Sequence, residues 1–302
     1  HLKRGAWHRS EMIKKITDIF KEKPRTYSFE FFSPKTDAGI ARLYDTVGEL
    51  VKLGPDFLSV TYGAGGSTRE TTTKIVDQLQ KRFDVSVLHH LTCIGHTKDE
   101  LTGIISNIKQ AGVKNILALR GDPPVGVKEW KKIPGGFEYS YQLVDMIRSL
   151  HKDYFSIGAA GFPECHMNCS SYELDTKYLK LKIDSGADFA LTQLFFDNND
   201  YFKYIDRLKK AGIKNRVIPG ILPIVNYEKL VNFCSTCGAS IPDKVRAIFE
   251  PIKDNEKATH KTGVEFAVKQ CQGLLDSGAP GLHFYTLNRI DPVREIIKNI
   301  KL

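Results

Sequence analysis

Short runs of β-branched and aromatic residues alternate with longer amphipathic stretches along nearly the whole chain. The runs fall at 26–33 (TYSFEFFS), 57–63 (FLSVTYG), 85–93 (VSVLHHLTC), 115–121 (NILALRG), 155–162 (FSIGAAGF), 189–196 (FALTQLFF), 216–222 (RVIPGIL) and 281–288 (GLHFYTLN). Each has the length of a strand, and the segments between them carry the spacing of amphipathic helices. Successive starts lie 27–40 residues apart, near the roughly 30 of a βαβ unit, until a last gap of 65. That gap predicts extra helices, around 226–236, 242–250 and 256–276. Ala111-Gly112, Ser185-Gly186, Ala211-Gly212 and Ser277-Gly278 stand where helices should stop, and glycine just past a helix end tolerates the left-handed turn that reverses the chain.

Eight such units close most economically as a (β/α)8 barrel, an α/β fold with additional helices before the last strand and one catalytic domain over 13–302. An open doubly wound sheet is the alternative. It lacks its usual G-x-G-x-x-G: the nearest match, Gly63-Ala64-Gly65-Gly66-Ser67, follows the second strand and has Thr68 where the third glycine belongs.

Composition narrows the class. Of 302 residues, 41% are hydrophobic and 26% charged, and 24 glycines with 13 prolines are an average load, so collagenous and disordered chains are excluded. No run approaches the roughly 18 apolar residues of a membrane span, and HLKRGAWHRS has no apolar signal core. A cytoplasmic protein without a membrane anchor is expected. Residues 1–12 read as a leader or N-terminal extension. Six cysteines without a signal segment read as reduced thiols. The net charge of +9 suits nucleic acid, a membrane surface or a polyanionic small molecule. Because the lysines are spread, with pairs at 14–15, 131–132 and 209–210, a solvated basic surface is favoured over a nucleic-acid face.

Barrel active sites gather at the C-terminal strand ends. On strand one, alternation sends Tyr27, Phe29 and Phe31 to the helix layer and Ser28, Glu30 and Phe32 the other way. Glu30 is then a lumen carboxylate, and lost hydration would raise its pKa enough for proton donation near neutrality. A lumen ion pair to lysine or arginine is the competing reading. Strand three carries His89-His90 on opposite faces, so one reaches the lumen. The Cys234-x-x-Cys237 pair falls in a predicted helix, and Cys165-His166 with Cys169 is a second possible cluster, but buried thiols are common core residues and no metal is expected. Arg120-Gly121-Asp122-Pro123-Pro124 ends strand four as a phosphate or heterocycle site or a structural turn. Gln193 on strand six can both donate and accept. Asp175 and Lys182 share a helix face about two turns apart.

Several segments, taken in order, resemble methylenetetrahydrofolate reductases. They are Phe29-Glu30-Phe31-Phe32-Ser33-Pro34-Lys35, Val60-Thr61-Tyr62-Gly63-Ala64, His90-Leu91-Thr92-Cys93, Leu119-Arg120-Gly121-Asp122, Thr192-Gln193, Phe195-Phe196-Asp197, Pro219-Gly220-Ile221-Leu222-Pro223 and His283-Phe284-Tyr285-Thr286-Leu287-Asn288-Arg289. The resemblance runs from about residue 13 to 295, and Glu250-Pro251-Ile252-Lys253-Asp254-Asn255 looks like the eukaryotic type, without its regulatory domain. It implies a barrel holding FAD that reduces 5,10-methylenetetrahydrofolate to 5-methyltetrahydrofolate with NADH or NADPH, by a ping-pong route in one-carbon and methionine metabolism.

By the same resemblance Glu30 is the general acid, and Asp122 acts electrostatically beside it. Thr61, His90, Arg120, Gly121, Asp122, Tyr139, Ser140, Ala160, Phe162, His166, Asp175, Tyr178 and Lys182 fall on flavin positions. Glu30, Thr61, Tyr62, Ala64, Asp122, Gln193, Lys229, Phe233 and Arg289 fall on the folate and nicotinamide side. Phe162 stands where a tyrosine is usual and Met167-Asn168 where Pro-Glu is usual. The implied partners are a folate, also in polyglutamylated form, and further copies of the chain in a homo-oligomer. The rivals are a pterin-binding methyltransferase using cobalamin or a zinc-activated thiol, and a flavin-carrying subunit that only relays electrons.

Overall fold

The computed structural model describes residues 13–62, 69–122 and 132–302. Ala64, the Gly63–Thr68 turn and the Pro123-Pro124 end of the fourth motif lie outside the described residues. All eight expected strands form: β1 (Thr26–Phe31), β2 (Phe57–Val60), β3 (Val87–Thr92), β4 (Asn115–Leu119), β5 (Ser156–Gly161), β6 (Phe189–Leu194), β7 (Arg216–Ile221) and β8 (Gly281–Tyr285). They pair in chain order, all parallel, and β8 returns to β1, so the sheet is a closed barrel and the open doubly wound alternative is excluded.

The expected strands extend past the observed ones at their C-terminal ends. Phe32-Ser33, Thr61-Tyr62 and Arg120-Gly121 lie past the observed strand ends, although the Thr61 amide still donates to the Phe31 carbonyl at 3.0 Å and the Ile94 amide to the Arg120 carbonyl at 2.9 Å. At Gly121 the reason is local: its φ of 86° is left-handed, and a Cβ there would meet the Ile94 and Thr92 side chains at 2.6 and 2.9 Å.

Eleven helices are described: α1 (Ile16–Glu22), α2 (Asp37–Leu50), α3 (Arg69–Phe83), α4 (Lys98–Gln110), α5 (Ser140–His151), α6 (Tyr172–Asp184), α7 (Asn198–Lys210), α8 (Tyr227–Cys237), α9 (Asp243–Phe249), α10 (Glu256–Asp276) and α11 (Asp291–Asn299). The three helices expected in the long gap are α8, α9 and α10. Side-chain caps start many of them, as where Thr97 and Glu100 form a reciprocal capping box on α4 and Ser171 accepts from the Leu174 amide on α6.

Three apolar clusters follow from strand alternation. Between strands and helices lies the largest, including Phe29, Phe31, Val60, Leu91, Phe195 and Phe284. Inside the barrel, Phe57, Leu88, Leu117, Phe189, Leu191 and Ile218 fill the lower lumen and pack on Ile16. This gives α1 its place in the fold. It plugs the barrel floor through the Ile16 amide, which donates to Asn115 Oδ1 at 2.7 Å, and through Arg216, whose guanidinium lies 4.7 Å from the Phe20 ring centroid. The third cluster, with Leu194, Leu222, Tyr227, Leu230 and Phe249, sits over the mouth where α8, α9 and α10 join β6 and β7.

Gly263 in α10 packs so closely that a Cβ would fall 1.6 Å from the Ile224 carbonyl oxygen, whereas Gly103 in α4 faces open space. Gly263→Ala should therefore destabilise by about 1–3 kcal/mol through forced backbone movement. Gly103→Ala should stabilise by about 0.5–1 kcal/mol by lowering helix-interior entropy loss. Urea melts of both variants check the opposite signs.

Candidate active site

Glu30 does point into the barrel, and β1, β2, β3 and β8 together decide its surroundings. Its Oε2 accepts from His283 Nε2 at 3.0 Å and from Ser59 Oγ at 3.3 Å, with His90 Nε2 also 3.3 Å away. Ser59 Oγ lies 2.6 Å from His90 Nε2, and Ser28 Oγ lies 2.7 Å from His283 Nδ1. One proton assignment satisfies every member: Ser28 donates to Nδ1 of His283, whose Nε2–H donates to Glu30, while His90 Nε2–H donates to Ser59 and Ser59 to Glu30. His283 is fully buried, and its ring stacks on Phe57 with centroids 6.4 Å apart.

This network corrects the expectation of a carboxyl raised by desolvation. Burial does push Glu30 up, but His90 and His283 outweigh it, by their positive charge when the rings are protonated and by their hydrogen bonds, holding the carboxyl well below its usual range. The competing expectation is a lysine or arginine partner; among the described residues, histidines occupy that place. Of the two neighbouring histidines, His90 reaches the lumen. His89 faces α3, where its Nε2 lies 3.0 Å from Thr73 Oγ1, and burial pushes it down to about 4.

Backbone clamps fix the carboxylate from the other side. The Glu30 carbonyl accepts from Thr286 Oγ1 at 2.7 Å, and the Asn288 side chain accepts from the Phe32 amide at 2.9 Å and donates to its carbonyl at 3.1 Å. Leu287 and Asn288 both take left-handed φ values, 50° and 55°, which turns the chain sharply after β8 and leaves Arg289 exposed at the mouth. Tyr285 OH donates to the Thr192 carbonyl at 2.5 Å, next to Gln193, which is half-buried on β6 with Oε1 accepting from the Leu194 amide.

A second group of expected residues converges at the ends of β4 and β5. Arg120 Nε donates to the Glu138 carbonyl at 3.1 Å, tying that strand end to Tyr139, which stacks on Tyr178 with centroids 5.4 Å apart. The Lys182 ammonium donates to the Ala160 carbonyl at 2.9 Å and lies 5.6 Å from the Phe162 ring centroid. Phe162 in turn packs edge-on against His166 at 4.7 Å. Asp175 accepts from the His166 amide at 3.2 Å. The charges sense one another: His166 is lowered by burial and by Lys182 and Arg120, with Asp122 opposing. Lys182 is pushed down to about 8 by burial, which the nearby Asp175 only partly offsets.

Ser140 is buried in the first turn of α5, and Thr61, half-buried, accepts from the Ser33 amide at 3.3 Å. Tyr62 OH lies 3.5 Å from His96 Nε2. On α8, Phe233 packs against the apolar cluster over the mouth, while Lys229 is exposed in the first turn. Thus the expected residues form a lumen cluster around Glu30 and a cationic, aromatic wall from Arg120 to Lys182. Sequence reasoning missed Ser28, Ser59 and His283 as partners of Glu30, and Thr286 and Asn288 as its clamps. Alternation on β2 and β8 was the available signal for Ser59 and His283.

Comparison with known proteins decides the family. The methylenetetrahydrofolate reductase family matches residues 15–301. The chain belongs to that family. It is 38% identical over 301 residues to "Methylenetetrahydrofolate reductase (NADH) 1" of Arabidopsis thaliana, covering 97% of this chain and 51% of the relative. It is 33% identical to "Probable methylenetetrahydrofolate reductase (NADPH)" of Caenorhabditis elegans, covering 98% of this chain and 45% of that one. To the "5,10-methylenetetrahydrofolate reductase" of Salmonella typhimurium it is 36% identical, covering 87% of this chain and 86% of that one. The chain thus spans about half the length of the plant relatives it matches. Among solved structures, an uncharacterized protein from Clostridium thermocellum that binds two copies of 5-methyl-5,6,7,8-tetrahydrofolic acid superposes with a TM-score of 0.61 at 14% identity, over 94% of this chain and 96% of that one. At that identity the likeness shows the shared fold. No helix among the described residues is long and apolar enough to cross a membrane.

The depressed Lys182 sets a pH dependence. Its folded pKa of about 8 lies below the unfolded value of 10.5, so the cost of burying its charge is fully present below pH 8 and is relieved as pH rises towards 10.5. Lys182→Met should gain at most about 3 kcal/mol below pH 8 for the chain without a bound anion, with the gain vanishing near pH 10.5. Paired denaturant melts across that range measure the difference; a gain that does not change with pH contradicts it.

Proposed function

We propose that the chain is a flavin-dependent reductase that uses NADH or NADPH to convert 5,10-methylenetetrahydrofolate to 5-methyltetrahydrofolate in a ping-pong cycle. One observation carries this reading: a lumen carboxylate, Glu30, coupled to two histidines, stands beside a cationic and aromatic wall inside a barrel of this family. The wall fits FAD. Arg120 and Lys182 offer two cations for a diphosphate, Tyr139, Tyr178 and Phe162 offer aromatic faces, Asp175 offers an acceptor for hydroxyls, and a lysine with its charge destabilised by burial gains from an anion. Thr61, His90, Gly121, Asp122, Ser140, Ala160 and His166 complete the assigned contacts. Bound there, FAD would supply the hydride chemistry, taking hydride from the nicotinamide and giving it to the methylene carbon.

The chain's own residues handle the proton. Opening the folate ring requires protonated N10 as the leaving group, and Glu30 Oε2 delivers that proton. Its depressed pKa makes it a strong donor but a scarce one, so Oε2 takes up its proton from solvent before each turnover, while the His283 Nε2–H and Ser59 Oγ–H donors hold that oxygen in place. Asp122 favours the cationic iminium that ring opening leaves. Gln193 meets the mixed donor and acceptor edge of the pterin, Phe233 offers it an apolar face, and Thr61 and Tyr62 flank the same opening. Exposed Lys229 and Arg289 suit the carboxylates of a glutamate tail, which extends the reading to polyglutamylated folates. A homo-oligomer in the cytoplasm belongs to the same proposal.

Glu30→Gln tests it directly. The variant should bind flavin and be reduced by the nicotinamide at a near-normal rate, while the folate half-reaction falls by about 10²–10⁴, as for a lost general acid. Anaerobic stopped-flow of the separate half-reactions decides, and undiminished folate turnover removes Glu30 from the role. Gln193→Glu should weaken folate binding by about 1–3 kcal/mol, because an acceptor-only group then faces a pterin acceptor, with flavin reduction less affected. A variant whose folate affinity is intact and whose flavin reduction is slow reassigns Gln193 to the nicotinamide.

A further inference from the structure

The loop between β5 and α6 folds back so that two thiols and a carboxylate share one point. Cys165 Sγ, Cys169 Sγ and a carboxylate oxygen of Asp175 all lie within 4.8 Å of one another, with Asp175 buried and both cysteines half-buried. Two sulfurs and an oxygen at such separations need only small side-chain rotations to meet the ~2.3 Å and ~2.0–2.2 Å bonds that zinc makes to thiolate and carboxylate. The backbone holds the arrangement. The Cys165 amide donates to the Phe162 carbonyl at 3.1 Å and the Cys169 amide to the His166 carbonyl at 2.7 Å. Both thiols turn towards the Ser171 carbonyl, at 3.3 and 3.4 Å. Cys165 sits in the left-handed region with φ 73°, a strained conformation for a residue with a side chain, and it persists only where surrounding contacts over-determine it.

We propose that Cys165, Cys169 and Asp175 bind one thiophilic divalent cation of the Zn2+ or Cd2+ class, and that this cation and FAD exclude each other because both engage Asp175. The exclusion rests on the flavin assignment of Asp175; the cation site stands on geometry alone. Binding replaces two S–H bonds by two metal–sulfur bonds and releases both protons to solvent, with no change of oxidation state, and a water completes the fourth position. The site is inhibitory and takes no part in the proton chemistry of Glu30, whose partners are on β1, β2, β3 and β8.

The reduced full chain is titrated with Cd2+, read by the ultraviolet thiolate-to-metal charge-transfer band, in flavin-free and FAD-saturated forms. The expected result is a band saturating at one equivalent in the flavin-free chain, absent in Cys165→Ser and in Cys169→Ser, and retained in Cys234→Ser. Thermal melts confirm that each variant is folded, and the two single substitutions remove the same site from different residues. No band in the parent chain, or a band that survives both substitutions or disappears with Cys234→Ser, overturns the site. FAD saturation should suppress the band, and Cd2+ should release FAD as seen by its visible absorption. Cadmium and flavin held together on one chain overturn the exclusion. Failure of FAD to bind at all, with the cadmium band intact, sinks the flavin assignment while supporting the cation site.

Discussion

The pairing of β8 with β1 is the constraint on which the site depends. It sets Ser28 opposite His283 and Glu30 opposite Tyr285, joining residues 255 and more positions apart. In that register the Ser28 hydroxyl fixes one nitrogen of His283 and leaves the other for Glu30, while Thr286 and Asn288, just past the end of β8, seize the backbone of β1 at Glu30 and Phe32. A slip of one residue would turn His283 into the helix layer and Glu30 away from its donors, because side chains alternate faces. Barrel closure and the proton chemistry of the lumen are therefore one and the same structural fact.

The floor and the mouth of the barrel divide the labour. Below, α1 and the lower apolar layer seal the lumen, with the Ile16 amide satisfied by buried Asn115. Above, backbone hydrogen bonds such as Thr61 to Phe31 and Thr286 to Glu30 carry the pairing to the rim, and the cluster of α8, α9 and α10 builds up one side of the opening. Burying polar groups in such a lumen costs free energy unless they are paired. Glu30, His90, His283, Ser28 and Ser59 meet that condition by pairing with one another.

Charge is arranged differently at the two halves of the site. Around Glu30 a carboxylate and two imidazoles meet at 3.0 and 3.3 Å, which holds the reacting oxygen in one place. At the ends of β4 and β5, burial drives His166 and Lys182 towards their neutral forms, and for His166 the nearby charges of Lys182 and Arg120 add to it. An anionic ligand is the natural complement of that second half, and the chain's net charge of +9 agrees in sign.

The eight-strand rhythm, the helices of the long gap and the lumen position of Glu30 were legible in the sequence, because alternation and helical period are local consequences of backbone geometry. The quoted motifs carried the family for the same reason: they are contiguous, and their order is written in the chain. The sequence could not show where strands end at the mouth, since Thr61-Tyr62 continue the β-prone run and the left-handed φ of Gly121 is set by the Thr92 and Ile94 side chains beside it. Nor could it show that α1 plugs the barrel floor. Above all, it misjudged the ionisation of Glu30. Desolvation can be guessed from one strand, but the net shift depends on His90 and His283, which only the closed barrel brings to the same oxygen. Tertiary structure decided that point because electrostatic energies depend on distances of a few ångströms between residues far apart in sequence.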